Sequence, residues 1–145
     1  MTKTVESKRL DVRRGRFGNA YADRNSASPS HLRTYTRAFG KIWNSIAADQ
    51  PETILECGCN VGMALRALSN ISDAELSAVE PNSKARSIAI ASKVTAARNI
   101  VDGCVQDLPF EDQSFDMAFT SGVLIHVAPD DLDAALDELA RVSKK

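Results

Sequence analysis

The run Ile54-Leu55-Glu56-Cys57-Gly58-Cys59-Asn60-Val61-Gly62 constrains what this chain can fold into more than any other stretch. It reads as a buried strand that enters a glycine-bearing turn and continues straight into a helix. Such turns hold ligands, because backbone amides at a helix N-terminus attract polar or anionic groups and glycine lets the backbone approach where a side chain would collide. Glu56, at the carboxyl edge of the strand, argues against a phosphate cradle, since a carboxylate beside a pyrophosphate repels it. It suits a cationic ligand. A second acid, Glu80, closes the next apolar run, Leu76-Ser77-Ala78-Val79-Glu80, where a carboxylate can accept hydrogen bonds from both hydroxyls of a ribose. A third, Asp107, lies in Val105-Gln106-Asp107-Leu108-Pro109-Phe110.

Periodicity places these acids on a scaffold. Leu32, Tyr35, Phe39, Ile42, Trp43 and Ile46 recur at spacings of three and four, which predicts an amphipathic helix over 28–49, opened by Ser28 or Ser30 around Pro29 and followed by Pro51. Strands are predicted over 53–57, 76–80, 99–104 and 115–120, with helices over 61–70, 82–97 and 130–142. The last helix carries Asp130, Asp131 and Asp133 early and Arg141 late, matching the helix dipole. The alternation implies a doubly wound parallel α/β sheet with right-handed crossovers and a ligand crevice at the carboxyl ends of the strands. Glu56, Glu80 and Asp107 all fall at that edge.

Three acids after three successive strands, around one glycine turn, match a nucleoside that carries an amino group and a sulfonium. On these residues the chain resembles the class I, Rossmann-like S-adenosylmethionine-dependent methyltransferases, with Glu56-Cys-Gly-Cys-Asn-Val-Gly62 as motif I. More narrowly, Phe17-Gly-Asn-Ala-Tyr-Ala-Asp-Arg-Asn25 and Ser121-Gly-Val-Leu-Ile-His-Val-Ala-Pro129 are similar to the methylases associated with pseudaminic acid biosynthesis. The resemblance implies S-adenosylmethionine as cofactor, S-adenosylhomocysteine as product, and in-line methyl transfer to a small-molecule or sugar-type acceptor, in which positioning is the protein's main task. It also implies roles. Gly58 and Gly62 admit the methionine part, Glu56 helps anchor its ammonium, Glu80 takes the ribose hydroxyls, and Asp107 accepts from the adenine amino group with Leu108 near the ring. Asn60 stands where many relatives have glycine, which asparagine tolerates because it visits positive φ readily. Tyr21, Arg24 and Asn25 resemble an N-terminal motif that folds over the cofactor, Arg24 being able to pair bidentately with its carboxylate. Cys59, Pro81, Gln106 and Ser121 complete the expected lining. His126, after the fourth strand, is the candidate catalytic base, imidazole being suited to accept a proton near neutral pH. The chain departs from the family in carrying only the cofactor-binding half, four strands in the order 3-2-1-4, which reads as a truncated or minimal form.

Composition bounds the rest. With 145 residues, 43% hydrophobic and 26% charged, the chain reads as a basic N-terminal arm, residues 1–27, and one methyltransferase-like domain, residues 28–145. A net charge of −1 offers no global field for nucleic acid or anionic membrane, so nucleic acid is not an expected partner. Residues 1–16, with Lys3, Lys8, Arg9, Arg13, Arg14 and Arg16, read as a solvated, partly disordered tail. No stretch approaches the roughly 18 apolar residues of a membrane span or the apolar region of a signal peptide, so a cytoplasmic location is expected. Cys57, Cys59 and Cys104 read as reduced thiols, and His31 and His126 are too few and too far apart for a metal site. The fourth strand, with Phe115, Met117 and Phe119, is expected to leave an apolar edge that a homo-oligomer would cover. Two other readings compete. A nicotinamide oxidoreductase needs glycine at the first, third and sixth positions of the turn, which here are Gly58, Asn60 and Met63. A non-catalytic or partner-dependent S-adenosylmethionine-binding module fits the short chain.

Overall fold

β1 (Thr53–Cys57) forms the centre of the sheet because it can be buried on both faces: Ile54, Leu55 and Cys57 are inaccessible to solvent. This computed structural model describes residues 5–25, 28–46 and 49–144. β2 (Glu75–Val79) and β4 (Met117–Thr120) pair with β1 in parallel, and β3 (Ile100–Val101) pairs outside β2. The order is therefore β3-β2-β1-β4, the doubly wound half expected from the alternation of elements. Six α-helices accompany it among the described residues: α1 (Val5–Arg14), α2 (Arg16–Arg24), α3 (Pro29–Ser45), α4 (Met63–Ser69), α5 (Ser83–Ala91) and α6 (Leu132–Val142).

Side-chain alternation along β1 divides the core in two. Ile54 joins Trp43, Leu65, Leu68, Leu76 and Ala89 on the face covered by α3, α4 and α5, whereas Leu55 and Cys57 join Val105, Leu108, Phe115, Ala135 and Val142 beneath α6. Burying a Leu or Ile side chain in such a core stabilises by about 1.5–3 kcal/mol. The two layers hold the carboxyl ends of the strands level with one another, which is what collects their acids.

Several elements are shorter than their patterns predict. The helix over 28–49 ends at Ser45, with residues 47–48 outside the described set, and the helix over 82–97 stops at Ala91, two residues before Lys93 takes φ +57°. β3 has two residues because the chain leaves the sheet at Asp102, where Arg14 at 2.9 Å and Arg86 at 3.5 Å pair with the carboxylate. The fourth strand is the edge of the sheet, as expected, but its apolar side chains are partly or fully buried within the chain. Met117 and Phe119 pack against the α3 side, the Phe119 ring 5.4 Å from that of Phe39, while Phe115 is turned to the opposite face and meets Phe110 edge-on at 4.9 Å. Phe115 also donates its N–H to the Val142 carbonyl and accepts from the Lys144 N–H, so the chain after α6 already pairs beside it.

The basic tail is the larger correction. Residues 1–4, Lys3 among them, lie outside the described set, but residues 5–14 form α1 and residues 16–24 form α2. The joint between them docks on Asn82, whose Nδ2 donates to the Arg13 carbonyl and to Asn19 Oδ1, each at 2.9 Å. Gly18 is required there, because a Cβ would lie 1.6 Å from the Arg13 carbonyl oxygen. Asn82 is at the same time the N-cap of α5, its Oδ1 accepting from the Ala85 N–H at 2.9 Å. Asn82→Ala is therefore expected to lower the unfolding free energy by about 2 kcal/mol, from a lost cap and orphaned buried partners. Urea denaturation checks this; a loss below about 0.5 kcal/mol would show that Asn82 is not the joint.

Candidate functional site

One cleft opens at the carboxyl ends of β1, β2 and β4 and is roofed by α1 and α2. Its floor is the turn after β1. Gly58 at φ +81°, Asn60 at φ +48° and Gly62 at φ +80° carry the chain through three left-handed positions, so Asn60 does what glycine does elsewhere in the turn. Gly62 then caps α4, and a Cβ there would press on Ala89 at 3.2 Å.

Two buried carboxylates line this cleft and are treated differently by their surroundings. Glu80 is held by backbone amides: Asn60 donates to Oε2 at 2.7 Å and Asn82 donates to Oε1 at 2.8 Å. Burial raises its pKa, against the pull of those amides and of Arg86 and Arg13. Glu56 is 3% exposed, and its Oε2 is buried without a hydrogen-bond partner. Burial first, and the charge of Glu80 second, push its pKa to about 8, although the Leu65 amide in the first turn of α4 pulls it down. A buried acceptor with no partner, beside a turn that admits close approach, is able to receive a hydrogen bond from a ligand donor.

Of the residues singled out in the sequence, Tyr21, Asn25, Glu56, Gly58, Cys59, Asn60, Glu80, Pro81, Gln106, Ser121 and His126 all line the cleft. Gly62 shapes it from behind through its backbone. Arg24, Asp107 and Leu108 lie outside the lining. The Arg24 guanidinium rests over the Tyr21 ring at 5.8 Å. Asp107 is exposed at a tight turn, its N–H donating to the Cys104 carbonyl, and Leu108 is buried in the core under α6 with its N–H on Glu138 Oε2. Sequence reasoning missed Arg13, Gly18 and Asn82, which join the roof to the floor, and Val123, which packs on Gly58. Gly18 and Asn82 carried a signal, a glycine inside a helical pattern and an asparagine at a helix start; Arg13 was hidden in a charge run. His126 is exposed at the cleft mouth, and partial desolvation followed by the charge of Arg13 lowers its pKa, which favours the neutral ring. The thiols of Cys57 and Cys59 are pushed up, that of Cys57 to about 12, chiefly by burial, so both stay protonated. Among the described residues no three His, Cys, Asp or Glu side chains gather to hold a metal ion, and no helix is long and apolar enough to cross a membrane.

Residues 55–145 match the methyltransferase domain family, and the chain belongs to it. It is a methyltransferase domain of the S-adenosylmethionine-dependent class. A curated relative, the glycine/sarcosine/dimethylglycine N-methyltransferase of Actinopolyspora halophila, is 31% identical over 140 residues, which is 92% of this chain and 23% of that protein. Among solved structures, a protein of Methanococcus maripaludis provisionally assigned to the S-adenosylmethionine-dependent methyltransferases superposes with a TM-score of 0.73 at 20% identity, over 100% of this chain and 64% of its own. Magnesium protoporphyrin IX methyltransferase of Synechocystis PCC 6803, solved with bound S-adenosylmethionine, gives 0.73 at 13% identity, over 99% and 74%. These structures share the fold. The chain thus spans about a quarter of its curated relative and under two thirds of the first structure.

The state of Glu56 has a measurable consequence. Its folded pKa, about 8, exceeds the ordinary 4.5, so the native state holds a proton that the unfolded state has released. Its contribution to stability is full below about pH 4.5 and declines as the pH rises to about 8. Glu56→Gln is expected to remove that decline, gaining on the wild type across this window in urea midpoints measured against pH. Parallel profiles would refute it.

Proposed function

We propose that the cleft binds S-adenosylmethionine and that the protein carrying this domain transfers its methyl group to a small-molecule or sugar-type acceptor. The observation that carries the reading is the buried, unpartnered Oε2 of Glu56 beside a left-handed glycine turn. An ammonium placed there would give Glu56 the hydrogen bond it lacks, and the negative charge would then be stabilised in place. The Glu80 carboxylate keeps lone pairs beyond those given to Asn60 and Asn82, and these are free for ribose hydroxyls. The base fits the side of the cleft formed by Gly103, Val105 and Gln106, within a residue of the Asp107 first assigned to it. When bound, S-adenosylmethionine supplies a methyl group on positively charged sulfur, an electrophile that needs orientation more than activation. The chain's own residues orient and shield: Tyr21 and Asn25 cover the cleft, Met63 and Val61 exclude water from its floor, and neutral His126 at the mouth takes the acceptor's proton.

Calorimetric titration tests the donor. S-adenosylmethionine is expected to bind with micromolar affinity and NAD not to bind; the reverse would return the chain to the nicotinamide reading. Because the ammonium selects ionised Glu56, binding near neutral pH is expected to release protons, seen as an enthalpy that varies with the buffer's ionisation heat, and Glu56→Gln should abolish that share.

His126→Ala is expected to cut kcat for S-adenosylhomocysteine formation by about a hundredfold or more while donor affinity changes less than twofold. Equal kcat would remove His126 from the chemistry. The mouth also favours a second reading, a binding module completed by a partner, since Ile125, beside His126, is 81% exposed. Donor binding without any turnover, across amino-acid and sugar acceptors, would select it.

A further inference from the structure

One flank of the cleft faces away from the donor seats proposed above. Glu56, Glu80 and Gln106 follow β1, β2 and β3, whereas Tyr35, Ser121, Val123, His126 and Val127 line the side of β4. Tyr35 reaches this flank from α3, whose Phe39 packs on Phe119 of β4 with ring centroids 5.4 Å apart. The Tyr35 ring lies nearly parallel to that of Phe39, at 6.3 Å and an interplanar angle of 18°. A column of three rings therefore runs from the sheet to the cleft, and it ends on a tyrosine that is 37% exposed. Rings packed in this way hold one another's planes, so the open face of Tyr35 is a fixed flat surface. Tyr21, the other tyrosine of the lining, already carries the guanidinium groups of Arg13 and Arg24 at 5.7 and 5.8 Å. Charge is scarce on the β4 flank: the described residues that line it include no acid, lysine or arginine.

Resting on the donor reading above, we propose that Tyr35 is the platform for the acceptor and that the acceptor is a neutral aromatic compound, methylated on a ring hydroxyl. A flat apolar ring gains the face of Tyr35 and gives up little to a flank without charge. A zwitterionic amino acid fits poorly, because its ammonium finds no carboxylate beyond the two that serve the donor. A sugar would bury hydroxyls against Val123 and Val127, with Ser121 and His126 as the other polar side chains described on this flank. His126 points to a hydroxyl in place of an amine. A ring hydroxyl gives up its proton as its oxygen attacks, whereas a neutral amine attacks with its own lone pair and sheds the proton afterwards. In the step, the acceptor oxygen bonds the methyl carbon through one of its lone pairs as the bonding pair returns to sulfur. His126 takes the hydroxyl proton, so the positive charge of the sulfonium ends on the imidazole, which is exposed and passes the proton to solvent.

The test uses the whole chain saturated with S-adenosylhomocysteine and follows calorimetric binding of phenol, 2-naphthol, glycine, sarcosine and glucose. Wild type is expected to bind 2-naphthol about tenfold more tightly than phenol, because the wider ring covers more of Tyr35, and about tenfold or more tightly than the other three. Tyr35→Leu is expected to erase the preference for the wider ring, and Tyr35→Phe, which keeps the column of rings, to retain it. With S-adenosylmethionine supplied, Tyr35→Leu should raise KM for 2-naphthol about tenfold while kcat stays within about threefold, the split of a platform and not of a chemical group. Preference for glycine, sarcosine or glucose, or binding of none of the five, overturns the aromatic acceptor and leaves the donor reading standing. A wide-ring preference that survives Tyr35→Leu overturns the assignment of Tyr35. Failure of wild type to bind S-adenosylhomocysteine overturns the donor reading and this inference together. Circular dichroism and nucleoside affinity show whether Tyr35→Leu is folded, and the order of probes in wild type decides the acceptor class without any substitution.

Discussion

The carboxylate of Glu80 is the fastening on which the site depends. One oxygen takes the amide of Asn60, in the turn after β1, and the other takes the amide of Asn82, at the start of α5. Two loops that follow neighbouring strands are thereby held by one side chain. Its burial costs free energy, and the amides offset that cost because they favour the charged form. Asn82 extends the fastening outward: its backbone serves Glu80, its Oδ1 caps α5, and its Nδ2 holds α1 and α2 over the opening. Floor, wall and roof of the cleft share one hydrogen-bond network, and breaking it at any member leaves buried polar atoms unpaired.

Glu56 shows the opposite arrangement in the same cleft. It has no such set of amides, one oxygen is unpartnered, and burial beside Glu80 keeps it protonated at neutral pH. Two ionised acids so placed would repel, and the surroundings separate them: the amides of Asn60 and Asn82 favour the charged form of Glu80, whereas burial without such amides favours the neutral form of Glu56. The cysteines around Glu56 follow the same logic. Cys57 and Cys59 are buried and their thiols stay protonated, so in this turn they serve as small apolar packing and not as nucleophiles.

What the sequence made legible, and what it did not, divides along the same physics. The strand order, the turn, and the placing of Glu56 and Glu80 followed from patterns that local forces decide: a continuous apolar run, glycines at left-handed positions, an acid at a strand's end. Asp107 and Leu108 were read onto the cleft because the third strand was taken to run through to Cys104. The chain instead leaves the sheet at Asp102 and folds back at Gly103, where a Cβ would lie 3.1 Å from Pro109 Cδ, and this turns Leu108 into the core and Asp107 to solvent. Arg141 then clamps the return, donating to the carbonyls of Leu108 and Phe110. No periodicity signals such a reversal. The roof was illegible for a different reason: α1 has so many charges and so little apolar content that only its docking on Asn82 distinguishes it from a solvated tail.

Gly58 closes the argument between donor and acceptor sides. A Cβ at this position would lie 2.3 Å from Val123 Cγ2, so the loop after β4 sits directly on the turn after β1. Val123 in turn accepts at its carbonyl from the His126 N–H, at 2.9 Å, and Gly122, at φ +73°, supplies the bend that brings both into place. The residue proposed to meet the acceptor is therefore positioned by the glycine proposed to admit the donor. Methyl transfer tolerates little error in the alignment of the two reactants. On the proposed reading that alignment rests on direct contact between the two loops, which would be lost if position 58 carried a side chain.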